Sequence, residues 1–193
     1  MDLTQGTVEE KNNRAKKMML WFGIVSLIMS FAGLTSAFIV SSTREDWLAD
    51  FKLPNAFTIS VVLIVISSIT LFMAKRALKA NNRNATTALL LTTFVLGIAF
   101  VYSQFAGFGE IIEAGYNFTG PTSNVTMSYI YVIAIVHILH VVAGLICLLV
   151  VIYNHFNQRY NASKMLGLEL ASTFWHFVDV LWLYLFFFLY FFK

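Results

Sequence analysis

Cysteine, proline and charge are all scarce in this chain. Cys147 is the only cysteine among 193 residues, so no disulfide forms within the chain and a disulfide scaffold is excluded. The only two prolines, Pro54 and Pro121, leave long stretches in which nothing interrupts a helix. Charged residues make up 12% of the sequence, about half the share of roughly 25% usual in soluble domains. That shortage excludes a soluble globular domain and a disordered chain. The net charge of +3 is too small for a nucleic-acid-binding protein, and in a chain of this composition the placement of charges matters more than their sum. The sequence also has no glycine-rich phosphate loop, no long block of like charge and no internal repeat.

What it has is apolar length: 59% of the residues are hydrophobic. A membrane-crossing helix needs roughly 20 apolar residues, and five such runs occur, at about 18–40, 56–74, 85–106, 128–153 and 170–192. The first begins at Met18, after Lys16 and Lys17, and is too long for a signal-peptide core, so it reads as a retained helix. The expected architecture is all-α: a polytopic membrane protein with a polar N-terminal tail at residues 1–17 and a five-helix transmembrane domain at 18–193. The connection at about 107–127 is the longest expected loop.

The thirteen Lys and Arg residues divide unequally between the two sides. Lys11, Arg14, Lys16, Lys17, Lys75, Arg76, Lys79, Arg83, Arg159 and Lys164 fall on one side, and Arg44, Lys52 and Lys193 on the other. The positive-inside rule places the N-terminus in the cytoplasm and the C-terminus across the membrane, as an odd number of spans requires. Three Asn-x-Ser/Thr sequons, at Asn117, Asn124 and Asn161, are short enough to arise by chance.

Ionisable groups inside a membrane span are costly, so each one is a candidate functional residue. The fourth run contains His137 and His140, and the fifth contains His176 and Asp179, with Glu169 at its basic edge. His137 and His140 are three apart and share a helix face, which Gly144 extends by one turn. Glu169, Ser172, His176 and Asp179 form a second face. The simplest expectation is that the two faces meet, with imidazoles and carboxylates satisfying one another. Such a set fits a metal or haem site, a proton relay, or a hydrogen-bonded cluster that fixes helix register. A bis-histidine haem would use His140 and His176. The Glu-x-x-His signature of di-metal bundles is missing, because Ser172 follows Glu169 by three. Ser67, Ser68 and Thr70 read as inter-helix hydrogen bonders, as does the uncharged Gln104. Trp21, Trp47 and Trp175 read as aromatic anchors at the membrane surface, and Cys147 as a small buried apolar residue.

The string from Glu169 through Trp175-His176-Phe177-Val178-Asp179-Val180 to Trp182 closely resembles the C-terminal signature of the cytochrome c oxidase subunit III family. His137-Ile-Leu-His140-Val141-Val-Ala-Gly144 resembles the His-x-x-His-Val-x-x-Gly stretch of that family's preceding helix. Ser67-Ser68-Ile-Thr70 and Leu96-Gly97 with Gln104 resemble its weaker elements, and the order fits over about residues 18–192. Five spans resemble the short bacterial form, which also occurs in quinol oxidases and beside nitric oxide reductases. The resemblance implies a helical bundle with a cleft filled by phospholipid, and no haem, copper or catalytic residue in this chain. It implies packing against the catalytic subunit I, with subunit II and a small subunit IV nearby and a respiratory supercomplex as the larger setting. It also implies support of proton uptake in a bacterial inner membrane, with cytochrome c as electron donor to the complex. A self-sufficient membrane haem protein and a small transporter are the remaining alternatives. Two family carboxylates are absent, with Leu27 in the place of one and Gly107 in the place of the other.

Overall fold

The computed structural model describes residues 6–48, 51–120, 123–160 and 165–192. The sequon at Asn161, together with Pro121, Lys164 and Lys193, lies outside the described residues. The described residues form five long helices in chain order: α1 (Val8–Ser41), α2 (Asn55–Lys79), α3 (Arg83–Glu113), α4 (Val125–Phe156) and α5 (Leu166–Phe191). All five are long and apolar enough to cross a membrane. The only β-pairing among the described residues is a single bridge between Asn117 and Ser123.

Helices α1 to α4 each contain the corresponding apolar run and extend past it into polar sequence, while α5 begins four residues before its run and ends at Phe191, one residue short of it. The reasons are local. α1 starts at Val8, inside the polar N-terminal segment, because Thr7 and Glu10 form a capping box. Thr7 Oγ1 accepts from the Glu10 N–H at 3.3 Å, and the Thr7 N–H donates to Glu10 Oε2 at 2.9 Å. At 34 residues α1 is about 51 Å long, against a hydrocarbon core of about 30 Å, so its first turns project beyond the membrane. α3 runs on to Glu113, so the loop expected over 107–127 shortens to residues 114–124. Asn82 caps α3 through the Ala85 N–H, and Asn124 caps α4 through the Thr126 N–H.

α2 follows Pro54 and has no cap from its own sequence. Its cap comes from α3, where the Glu110 carboxylate accepts from the Asn55 N–H at 2.8 Å and the Ala56 N–H at 3.1 Å. A negative group on the first N–H groups of a helix satisfies them and complements the helix dipole. At the other end of the same helix pair, Asn81 takes the left-handed conformation (φ 55°) and turns α2 tightly into α3.

Neighbouring helices in the chain from α2 to α5 are packed together, and α5 also packs on α2, so these four close into a ring. α1 lies outside that ring, against α4 and α5. The core runs along the inside of the ring, with Phe57, Ile64, Leu71, Leu90, Phe100, Ile133, Leu168, Trp182 and Leu185 almost fully buried. α1 contributes only a narrow stripe, Ile24, Phe31, Thr35 and Phe38. Its grip is tightest toward the far end, where the Phe38 ring meets Trp47, Tyr129 and Phe188 edge-on. At the basic end it stands apart from the ring. An apolar groove of about 470 Å³ opens there among Leu20, Cys147, Val150, Tyr160, Leu170 and Phe174. A second opening of about 230 Å³ adjoins it, lined by Lys17, Trp21, Lys75, Glu169 and Thr173. Leu20 and Leu170 line both. Cys147 is exposed on this side and not buried as its type suggested, because position 147 falls on the lipid-facing side of α4.

Candidate functional site

The fifth helix holds the ring together. The Trp175 indole is 3% exposed and so is no surface anchor, contrary to the expectation for it. Its Nε1–H donates to Ser67 Oγ of α2 at 3.0 Å. Its ring lies over two glycines: a Cβ at Gly97 of α3 would come within 2.7 Å of Trp175 Cη2, and one at Gly144 of α4 within 3.1 Å of its Cε3. One side chain thus joins four helices. Two turns along, the fully buried Trp182 repeats the bond, donating from Nε1 to Ser60 Oγ of α2 at 2.9 Å. The two tryptophans and the two serines are each seven residues apart, and the helices run antiparallel, so the pairs fall in register. Ser60 was missed in the sequence, although its seven-residue offset from Ser67 mirrors the offset between the tryptophans.

The two faces of ionisable residues do not meet as the spacing suggested. His137 of α4 is fully buried and its Nε2–H donates to the Val178 carbonyl of α5 at 3.1 Å. Its ring packs on Trp182 at 4.9 Å and meets Phe100 and Phe31 edge-on. His140 turns back on its own helix, donating from Nδ1 to the Val136 carbonyl at 2.7 Å, with its ring against Phe31 of α1. The polar face of α5 points instead at α2 and α1. His176 Nδ1 is 2.6 Å from Ser68 Oγ. Asp179 is buried, and its Oδ2 has no partner among the described residues. Glu169 pairs with Lys17 of α1 at 3.3 Å. The helices carrying these residues are close neighbours, but successive side chains on one α5 face meet different helices. Each imidazole therefore finds a hydroxyl or a carbonyl, and none pairs with a carboxylate among the described residues. His140 and His176 face different helices, α1 and α2, so the pair expected of a bis-histidine haem does not form. Among the described residues no three His, Cys, Asp or Glu side chains converge as metal ligands do.

The remaining sequence candidates divide between bridging and isolated groups. Thr70 bridges to Thr93 of α3 at 2.8 Å. Gln104 is fully buried, and neither of its amide atoms has a partner among the described residues. At Gly107 a Cβ would run into the Phe57 ring, so an aromatic side chain of α2 fills that space. Leu27 is partly buried on α1. His155 was not singled out in the sequence. It is buried near the basic end of α4, with Nε2 2.9 Å from Thr87 Oγ1, while Arg83 donates to its carbonyl at 2.7 Å. An arginine on the last carbonyls of a helix is favourable for the same dipole reason as Glu110 at α2.

Outside the membrane, the loop after α1 is clamped to α4. Asn124 Nδ2 donates to the Asp46 carbonyl at 3.0 Å, and Thr126 Oγ1 accepts from the Leu48 N–H at 2.9 Å. Both polar residues of the second sequon are therefore in use. Arg44 and Asp46 pair at 2.8 Å, and the hydrogen bond from Arg44 holds the Asp46 carboxyl below the usual carboxylate range.

The family model described as cytochrome c oxidase subunit III matches residues 4–193, nearly the whole chain. Among curated proteins, cytochrome c oxidase subunit 3 of Aedes aegypti is 34% identical over 136 residues, covering 70% of this chain and 48% of the insect protein. The alignment thus spans about half of that relative. Cytochrome c oxidase subunit 3 of Thermostichus vulcanus is 30% identical over 171 residues, covering 86% of this chain and 82% of its own. Cytochrome bo(3) ubiquinol oxidase subunit 3 of Buchnera aphidicola from Schizaphis graminum is 27% identical over 186 residues, covering 95% and 97%.

Proposed function

The chain belongs to the cytochrome c oxidase subunit III family, and on that premise we propose that it is a non-catalytic integral subunit of a haem–copper terminal oxidase. The observation that carries this reading is the use made of the polar groups in the last helix. Trp175, Trp182, His176 and Glu169 are engaged with other helices of the same chain, as a scaffold requires. The haem and copper then belong to partner subunits I and II, with subunit I as the main contact. The role of this chain is to stabilise subunit I and its proton uptake while the complex reduces oxygen and moves protons outward.

The chain is a multi-pass membrane protein. We place it in a bacterial inner membrane with its N-terminus in the cytoplasm, following the charge asymmetry of its ends. The groove between α1, α4 and α5 suits a phospholipid. Its wall is apolar, and the adjoining opening brings Lys17, Lys75 and Trp21 to the level of a headgroup.

Purification through a tag on this chain, with subunit identification and a reduced-minus-oxidised spectrum, tests the reading. A haem-bearing subunit I and a copper-bearing subunit II in fixed ratio are expected. A chain that came out alone and coloured would overturn it in favour of a self-sufficient haem protein. A second reading, subunit III of a quinol oxidase, is favoured by the end-to-end match to the Buchnera ubiquinol oxidase subunit. A subunit II without copper would select it over cytochrome c as donor.

A further inference from the structure

α5 is flanked by α1 on one side and α2 on the other, and among the described residues these two do not pack against each other. The outward strip of α5 is thus the floor of a groove whose walls are α1 and α2. Glu169, Thr173, His176 and Val180 follow one another along that floor at spacings of four, three and four, which keeps them on one helix face. Val180 is 63% exposed. Two hollows mark the floor. Toward the basic end, Thr173 and Glu169 line the opening of about 230 Å³ with Lys17, Trp21 and Lys75. On the other side of His176, an apolar hollow of about 260 Å³ lies among Ile28, Phe31, Phe177, Val180 and Tyr184.

Between the hollows the floor is polar. His176 is half-buried, and its Nδ1 is 2.6 Å from Ser68 Oγ. Ser68 is half-buried too and sits near the midpoint of α2, so the pair lies at the depth of the bilayer centre. An imidazole has two ring nitrogens with hydrogen-bonding roles, and whichever way the proton of the Ser68 bond lies, Nε2 keeps one to fill. No described residue fills it. Lipid tails cannot, since hydrocarbon neither donates nor accepts, and ionisable groups within spans accordingly face protein or a water-filled cavity. At the basic end Lys75 lines the opening and has no ion pair among the described residues. The groove is therefore hydrogen-bonding at its middle, positive at its basic end and apolar toward its far end.

We propose that this groove receives a transmembrane helix of a neighbouring oxidase subunit, with a hydrogen-bonding side chain opposite His176, an acidic one within reach of Lys75 and apolar ones in the far hollow. Ser68 and Lys75 are seven residues apart on α2, so the polar and acidic residues of the docked helix are about two turns apart as well. The proposal rests on the subunit reading above and adds the face through which the chain is held. The Trp175–Ser67 and Trp182–Ser60 bonds join α2 to α5 without His176, which leaves the imidazole available to a partner.

Variants of the full chain, expressed with its native partners and purified through a tag on this chain, test this. Val180→Trp puts a large ring on the floor of the groove without entering the core. It should lower recovery of the partner subunits on the order of tenfold, as overpacking of a contact does, while the helical content of the chain is unchanged. Val95→Trp, at a 62% exposed position of α3 away from the groove, should leave recovery as it is. A photoreactive benzoylphenylalanine in place of Val180 should cross-link to one transmembrane segment of a partner subunit. Cross-linking to lipid alone, or full recovery of partners by Val180→Trp, would overturn the docking proposal and leave the subunit reading standing. If the unaltered chain recovered no haem-bearing partner, both would fall.

Discussion

The Trp175 indole N–H is 3.0 Å from Ser67 Oγ, and the contact is buried on all sides. Replacing Ser67 with alanine leaves that donor without a partner in an apolar interior, at a cost of about 1–3 kcal/mol. Trp175→Phe removes the donor instead. The two changes should therefore be less than additive: once Trp175 is Phe, Ser67→Ala should cost little further. Thermal unfolding of the single and double variants, in one detergent and one complex, measures the coupling. Strict additivity would mean that the bond contributes nothing.

Gly97 makes a sharper case, because the atom in its way is the far edge of a large ring held by its own hydrogen bond. Gly97→Ala would place a methyl 2.7 Å from Trp175 Cη2 and 2.8 Å from Leu145 Cδ2. The indole cannot retreat without leaving Ser67. Overpacking of this kind costs about 1–3 kcal/mol. Gly109 on the same helix has nothing within 4 Å of its Cβ position, so Gly109→Ala should be close to neutral. Equal effects of the two in a thermal shift assay would contradict the packing described.

Why some of this was legible in the sequence and some was not follows from what each signal reports. Helix number and rough extent come from apolar length, which the bilayer dictates and no tertiary contact overrides. Helix ends depend on capping, so α1 gained ten mostly polar residues, Val8 to Lys17, through Thr7 and Glu10, and α3 ran on about two turns to Glu113. Residue spacing put Glu169, Ser172, His176 and Asp179 on one face of α5. It could not identify which helix that face meets, because spacing is a property of one helix and pairing is a property of the bundle. Trp175 was misplaced for a related reason: a tryptophan near the end of an apolar run resembles a surface anchor until Gly97 and Gly144 are seen to make room for it.

The Lys17–Glu169 pair tethers the loosest helix at its basic end, yet the two side chains are 53% and 31% exposed. Exposed pairs contribute about 0–1 kcal/mol, because solvent screens them and ordering two long side chains costs entropy. Lys17→Ala should therefore leave thermal stability nearly unchanged. By contrast Phe31→Ala, in the buried stripe of α1, should cost about 3–5 kcal/mol. If Lys17→Ala proved the more damaging in the same denaturation assay, α1 would be held by charge and not by packing.

At the far end, the loop after α1 is held by Asn124 and Thr126 from one side and by the Arg44–Asp46 pair within it. Because the bond from Arg44 lowers the folded-state value of Asp46, the pair steadies the loop above the ordinary carboxylate range. That contribution fades as pH falls through the lowered value, where Asp46 takes up a proton. Asp46→Asn removes the charge but keeps the backbone carbonyl that Asn124 uses. Amide exchange at Trp47 and Leu48 should thus be faster in Asp46→Asn than in the unaltered chain near neutral pH. The ratio should shrink toward one as the solution is made acid, once both are corrected for intrinsic rates. Asn124→Ala, which removes the donor to the Asp46 carbonyl, should speed exchange at every pH. A ratio for Asp46→Asn that did not change with pH would show that the loop is held by the Asn124 clamp alone.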